Sequence, residues 1–262
     1  MGNSGTCENR LAVVTELLFD AEGSVTGSDL YRATVHNHAK LSYNGVAPWL
    51  ENEGLAPAAL LQVPGLDHGI QLQDRVAQQL RTSRYQRGAL DLETIEARPL
   101  FDGDRLRALE EDKKSRAKQL IEDLMIATNE ATARFLEARG FPSLRRVLRS
   151  PERWARIVAL AAETGDRLPD EPDSEALSAF LTLRRDADPL RFPDLSLAVV
   201  KLMGSGEYVL DLPGGGSPGH FGLAVRDYTH STAPNRRFPD LVTQRLLKAA
   251  LARQPWPYNQ AE

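Results

Sequence analysis

The stretch AKQLIEDLMIATNEATARF, Ala117–Phe135, repeats its apolar side chains with the period of an α-helix. Ala117, Leu120, Ile121, Leu124, Thr128, Ala131 and Phe135 fall on one stripe, in steps of three, one and four. The periodic segment is read from near Asp104 to Gly140, where a glycine suited to the C′ position is followed by Pro142. Towards the N-terminus, Gln71–Arg87 reads as a helix ending at Gly88, and Val46–Leu55 contains a short one. Leu11–Phe19 is apolar and β-rich, Leu30–His36 alternates, and the two flank Asp20-Ala21-Glu22-Gly23, the pattern of a hairpin. Glu96–Phe101 is a candidate strand before an Asp102-Gly103-Asp104 turn. Towards the C-terminus, helices are predicted at Pro151–Thr164, Ser174–Arg184, Leu195–Met203 and Leu241–Arg253. Short strands are predicted at Tyr208–Leu212 and Phe221–Val225, around a glycine-rich loop at 213–219. With no repeat and no clear linker, the expectation is one α+β unit, a mixed sheet with packed helices.

The composition narrows the function classes. The chain has 262 residues, 42% hydrophobic and 26% charged, which is ordinary for a globular protein. No run of apolar residues is long enough for a transmembrane helix, so no membrane partner is expected. A lone cysteine, Cys7, excludes an internal disulfide and a cysteine-based zinc site, and a reducing, cytoplasmic setting is expected. The net charge is −4, which argues against a uniformly basic nucleic-acid binder but leaves local basic patches open. Of 32 basic residues only six are lysine. That bias suits phosphate recognition by guanidinium forks, and equally suits a GC-rich coding sequence.

Three constellations could carry chemistry. In YTHSTAPNRRFPDL, Tyr228–Leu241, the polar row Thr229, His230, Ser231 and Thr232 precedes Arg236 and Arg237, which stand just before a helix. Arginines among hydroxyls at a helix N-terminus suit an anionic oxygen; the same spacing suits a surface pair of an arginine with Asp240 or Asp227. Glu122, Met125 and Asn129 share one stripe of the long helix, beside the apolar face, where a polar residue needs a partner. Arg139, Arg145, Arg146, Arg149, Arg153 and Arg156 face a single acid, Glu152, with Phe141 and Trp154 interleaved. That run fits single-stranded nucleic acid or a solvated face. His36 and His38 have metal-ligand spacing without a third ligand, and read as a chance pair.

HFGLAVRDYTHSTAPNRRFPDLVTQRLL, His220–Leu247, resembles the signature of the ribonuclease II/R family, 3′→5′ exoribonucleases built on the RNB catalytic domain. Asn9–Gly23, Ala39–Glu51, Arg87–Ala97 and Gln119–Leu136 are similar to further family blocks in order and spacing, so the resemblance covers essentially the whole chain. It implies that Arg236 is the arginine contacting the scissile phosphate and that Tyr43 lies near the catalytic centre. It implies that Glu122 lies near the terminal nucleotides, with Arg237, Thr229 and His230 as further RNA contacts. A base-stacking phenylalanine of the family corresponds to a position close to Leu92.

The departures matter as much. The resemblance implies magnesium, held by an aspartate cluster of the form D-x-D-D, and this sequence has no such cluster, so no metal ligand is assigned. The upstream stacking tyrosine, the N-terminal OB domains and the C-terminal RNA-binding domain also lack counterparts. Residues 1–262 are therefore expected to be an incomplete RNB catalytic domain. Its expected reaction is hydrolysis of single-stranded RNA to nucleoside monophosphates, with an upstream chain as a candidate source of the missing aspartates. The alternative is a non-catalytic RNA-binding or interaction protein derived from an RNB domain.

Overall fold

The computed structural model describes residues 8–93, 97–111 and 114–258. Cys7 and Glu96, the first residue of one predicted strand, lie outside them. The chain is organised around one long helix, α4 (Arg116–Ala138). Its start is local chemistry: the Ser115 hydroxyl accepts a hydrogen bond from the Lys118 amide at 3.4 Å. Its end is a Schellman motif. Phe141 N donates to Leu136 O and Gly140 N to Glu137 O, both at 2.9 Å, with Gly140 at φ 69°. Leu136 and Phe141 join the same apolar cluster, the contact that accompanies this motif.

The predicted start near Asp104 is corrected. Residues Arg105–Glu111 form strand β4, which pairs antiparallel with β3 (Ala97–Asp102). The turn after Asp102 folds the chain back, so the helix cannot extend upstream of Ser115.

Around α4 pack α1 (Tyr43–Leu50), α3 (Leu66–Gln86), the hairpin β1 (Asn9–Phe19) and β2 (Val25–His36), strand β5 (Ser143–Val147) and the last helix, α8 (Phe238–Leu251). A four-residue helix α2 (Ala58–Leu61) leads into α3. The environment explains the composition of α4. Leu120, Ile126, Ala131 and Leu136 are buried, but so are Asp123, Asn129 and Thr132, because neighbours surround the helix on several sides. Ile121, on the predicted apolar stripe, is 47% exposed.

A second apolar cluster joins α5 (Trp154–Glu163), α6 (Ser174–Ala187) and α7 (Phe192–Met203) through Ile157, Leu177, Leu181 and Val199. Each fully buried Leu, Ile or Val there contributes roughly 1.5–3 kcal/mol by leaving water. Phe141 and Trp154 are core residues, and Trp154 Nε1 donates to Pro169 O at 2.8 Å. They are therefore not exposed platforms interleaved with the arginine run.

The α+β class stands, with the described strands divided among three two-stranded antiparallel ribbons. The third pairs β5 with β6 (Glu207–Asp211), setting Arg146 opposite Tyr208. Strand β5 was hidden in the arginine run, because its inward side chains include a charge. Arg145 is 2% exposed and reaches Asp211 at 2.9 Å, Glu137 at 3.1 Å and Asp227 at 3.5 Å. The predicted strand at Phe221–Val225 is instead a 3-10 turn, Phe221–Leu223, held by isolated bridges at His220. Among the described residues no helix is long and apolar enough to cross a membrane.

Candidate nucleic-acid interface

The segment from Tyr228 to Asp240 joins β5, α4 and α8, and buried polar groups fix it on all three sides. Thr229 is fully buried, and its hydroxyl donates to Leu144 O at 2.6 Å. Ser231 donates from both its amide and its hydroxyl to Asn129 Oδ1, at 3.0 and 2.9 Å, and Gln244 Nε2 donates to Ser231 O at 2.7 Å. Asp240, also fully buried, accepts from Ala233 N at 2.8 Å and from Arg237 at 2.7 Å. These contacts set the path of the turn Pro234–Arg236, whose amides at 236 and 237 donate to Ala233 O. The Arg236 side chain emerges exposed, with no ion-pair or hydrogen-bond partner among the described residues. Arg237, by contrast, is held back against Asp240 and Thr232.

The expected contacts therefore divide. Thr229 frames the site from inside and has no surface to offer RNA, because strand β5 uses its hydroxyl. Arg237 is the arginine that forms the anticipated pair with Asp240, which leaves Arg236 free to meet an anion. His230 lies at the edge of the site, its Nδ1 2.7 Å from Tyr208 Oη. Asn129, noted in the sequence as a polar residue needing a partner, finds it in Ser231.

Sequence reasoning missed Tyr228 as a hub. Its ring packs edge-on against His220 and His230, with centroids 5.6 and 5.5 Å apart. Burial pushes its phenol above the ordinary range and Glu122 adds to that, while the nearby Asn129 amide and the charges of Arg237 and Arg84 pull it down. The phenol packs with Ile126 of α4 and with Val225. Burial also lowers both neighbouring imidazoles to about 4, helped for each by the Arg146 guanidinium. Both are neutral at physiological pH.

Glu122 is exposed on α4 and lines a cavity of about 110 Å³ with Arg81, Arg84, Tyr85, Leu92 and Lys114. Leu92 thus stands beside Glu122, as an aliphatic wall. Tyr43, 47% exposed, lines a different groove with Val46, Ile70, Ala117 and Ile121, whose walls are mainly apolar. Glu122 and Leu92 thus share one cavity, Tyr43 lines a separate groove, and Tyr228, His230 and the arginine turn form one continuous segment.

The buried aspartates, and several half-buried ones, are already engaged by arginines. Asp123 sits between Arg81, at 3.0 Å, and Arg84. Burial raises its pKa against the pull of both guanidiniums. Asp240 is held by Arg237, Asp74 by Arg116 at 2.5 Å, and Asp211 and Asp227 by Arg145. Among the described residues no group of three or more His, Cys, Asp or Glu side chains could hold a metal ion. Magnesium is held by one or two carboxylates free of other cations, with water and substrate phosphate completing its octahedron. These residues do not fit the magnesium that the resemblance implies.

Comparison with known proteins agrees with the geometry. A family model described as the RNB domain matches residues 3–253. Ribonuclease R of Escherichia coli (strain K12) is 31% identical over 249 residues, a match covering 94% of this chain and 30% of that protein. Ribonuclease R of Aquifex aeolicus is 28% identical over 259 residues, covering 96% of this chain and 35% of the relative. The chain therefore spans about a third of the length of these curated relatives. Among solved structures, Mycoplasma genitalium RNase R in complex with ribose methylated single-stranded RNA superposes with a TM-score of 0.83 at 23% identity, over 98% of this chain and 39% of that one. Yeast Ssd1, described as a pseudonuclease, superposes with a TM-score of 0.71 at 18% identity, over 97% and 31%. At these identities the structural likeness establishes a shared fold. The length of the family match, spanning the arginine turn and every element that frames it, shows that the chain belongs to the RNB-domain family of ribonucleases.

Proposed function

We propose that the chain provides the RNA-holding part of a 3′→5′ exoribonuclease acting on single-stranded RNA in the cytoplasm and releasing nucleoside monophosphates. The observation that carries this reading is the Arg236 turn, fixed from behind by Asp240, Ser231 and Asn129, with one unpaired guanidinium facing solvent. Such a group binds a phosphodiester in a defined orientation and neutralises charge that grows on the phosphoryl oxygens as water attacks phosphorus. Glu122, in the cavity it lines with Lys114, is assigned to the terminal nucleotide, while Arg84 there is committed to Asp123; Tyr43 borders a separate apolar groove. Magnesium has no ligand cluster among the described residues, so the chain's own share is binding, orientation and charge neutralisation.

A second reading, RNA binding without cleavage, is favoured by one observation: the buried aspartates around the turn are all neutralised by arginines. Incubating the purified chain with 5′-labelled single-stranded RNA separates the two. Magnesium, EDTA and Arg236→Ala arms are run in parallel, and products are resolved by length. A 3′ ladder that needs both metal and Arg236 establishes the exoribonuclease. Binding that Arg236→Ala weakens, without shortening, establishes the second reading. Neither binding nor shortening by the folded chain refutes both.

A further inference from the structure

Tyr208 on β6 is 39% exposed, although two groups brace its ring. Arg146, its cross-strand partner, lays its guanidinium carbon 5.0 Å from the ring centroid. His230 meets it edge-on at 5.7 Å and 72°, with Nδ1 2.7 Å from the phenol oxygen. The Tyr208 phenol and the neutral His230 imidazole share one hydrogen bond at Nδ1, which holds the ring's orientation. Gly206 makes the arrangement possible. A Cβ at this position would lie 2.6 Å from Arg146 Nη2, so a side chain there would push the guanidinium from its present place over the ring. Arg146 of the ribbon and His230 of the arginine-turn segment thus brace an aromatic ring at the protein surface.

We propose that Tyr208, backed by Arg146 and oriented by His230, is a nucleobase-stacking platform for single-stranded RNA entering the Arg236 turn. The argument is chemical. Every base has a flat π-face, and an aromatic ring paired with a guanidinium offers a matching flat surface with positive charge close to the backbone phosphates. A ring already immobilised loses little entropy on stacking. His230 belongs to the same segment as Arg236, and the guanidinium of the next residue, Arg237, is near enough to His230 to lower its pKa, so one segment carries both the exposed arginine and the group that orients the ring. The aliphatic Leu92 beside Glu122 supplies no aromatic face, and Tyr208 does. The inference rests on the RNA-holding role proposed above, and its test keeps the two apart.

The test measures the affinity of the full chain for a fluorescent single-stranded RNA. The same measurement is made with a strand of equal length whose bases have been removed throughout. Tyr208→Phe keeps the ring and loses the hydrogen bond; Tyr208→Ala loses the ring. The expected result is about tenfold weaker binding for Tyr208→Ala with intact RNA, the size of one lost stack, and a change of less than about twofold for Tyr208→Phe. With the base-free strand, Tyr208→Ala and the parent should bind equally. A loss that persists with the base-free strand, or no loss with intact RNA, overturns the platform. Arg236→Ala serves as the second arm. If it weakens binding while Tyr208→Ala does not, the platform fails and the Arg236 role stands. If only Tyr208→Ala weakens binding, the platform stands and the Arg236 role fails. Absence of RNA binding by the folded parent chain overturns both.

Discussion

Replacing Asp240 by asparagine removes one buried charge and leaves the shape of the side chain intact. Asp240 is fully buried and accepts from Ala233 N at 2.8 Å and Arg237 at 2.7 Å. Asparagine keeps an oxygen for the Ala233 amide but leaves the Arg237 guanidinium without its counterion. Breaking a buried ion pair from one side costs about 3–5 kcal/mol. Arg237 is still 24% exposed and regains some hydration, so about 2–3 kcal/mol is expected here. In a urea titration with a slope of about 2–3 kcal/mol/M, that lowers the midpoint by roughly 1 M with the slope unchanged. The turn that carries Arg236 loosens with it, and RNA affinity falls in parallel. Adding Arg237→Met removes the stranded charge. The double variant should therefore be more stable than the sum of the two single losses by at least about 1 kcal/mol. A midpoint within about 0.5 kcal/mol of the parent, or strict additivity in the double variant, would show that Asp240 does not anchor the turn.

Three further expectations follow from the same contacts. Asn129→Ala strands the amide and hydroxyl of Ser231, both bonded to Asn129 Oδ1, and should cost about 2–3 kcal/mol in thermal or urea unfolding; a neutral result would deny that α4 holds the turn. Leu136→Ala empties a fully buried site at the Schellman end of α4 and should cost about 2–5 kcal/mol, with RNA affinity of the remaining folded protein unchanged. The third concerns pH. Burial lowers the folded-state pKa of His220 and His230 from 6.5 to about 4, so the unfolded chain binds more protons between those values. Their stabilisation is complete above about pH 6.5 and is lost as the pH falls towards 4, on the order of 3 kcal/mol for His220 and less for the more solvent-screened His230. The two repel each other when charged, so the losses are coupled. Urea midpoints from pH 7 to 4.5 should fall more steeply for the parent than for His220→Asn, and parallel curves would contradict the assignment.

The sequence by itself determined what acts over a few residues. Gly140 and Pro142 end the long helix where the pattern put its end, because left-handed backbone and a missing amide are local effects, whereas its start at Ser115 was not read from the pattern. The hairpin of β1 and β2 was legible from alternation around the Asp20–Gly23 turn, and the Arg236 block from its order of residue types. Where short-range signals conflicted, the sequence misled. The charged segment Arg105–Glu111 continued a helical period but folded back as β4, and β5 was masked because its inward residue is Arg145. Only the tertiary structure decided which arginine is free. Arg236 and Arg237 are adjacent and chemically alike, and Asp240 takes one of them because α8 begins where it does. The same holds for Asn129 and Ser231, 102 residues apart, and for the ring of Tyr208 against His230. These partners are joined by the packing of α4, α8 and the β5–β6 ribbon, and no local pattern encodes which distant group will arrive to satisfy a buried polar atom.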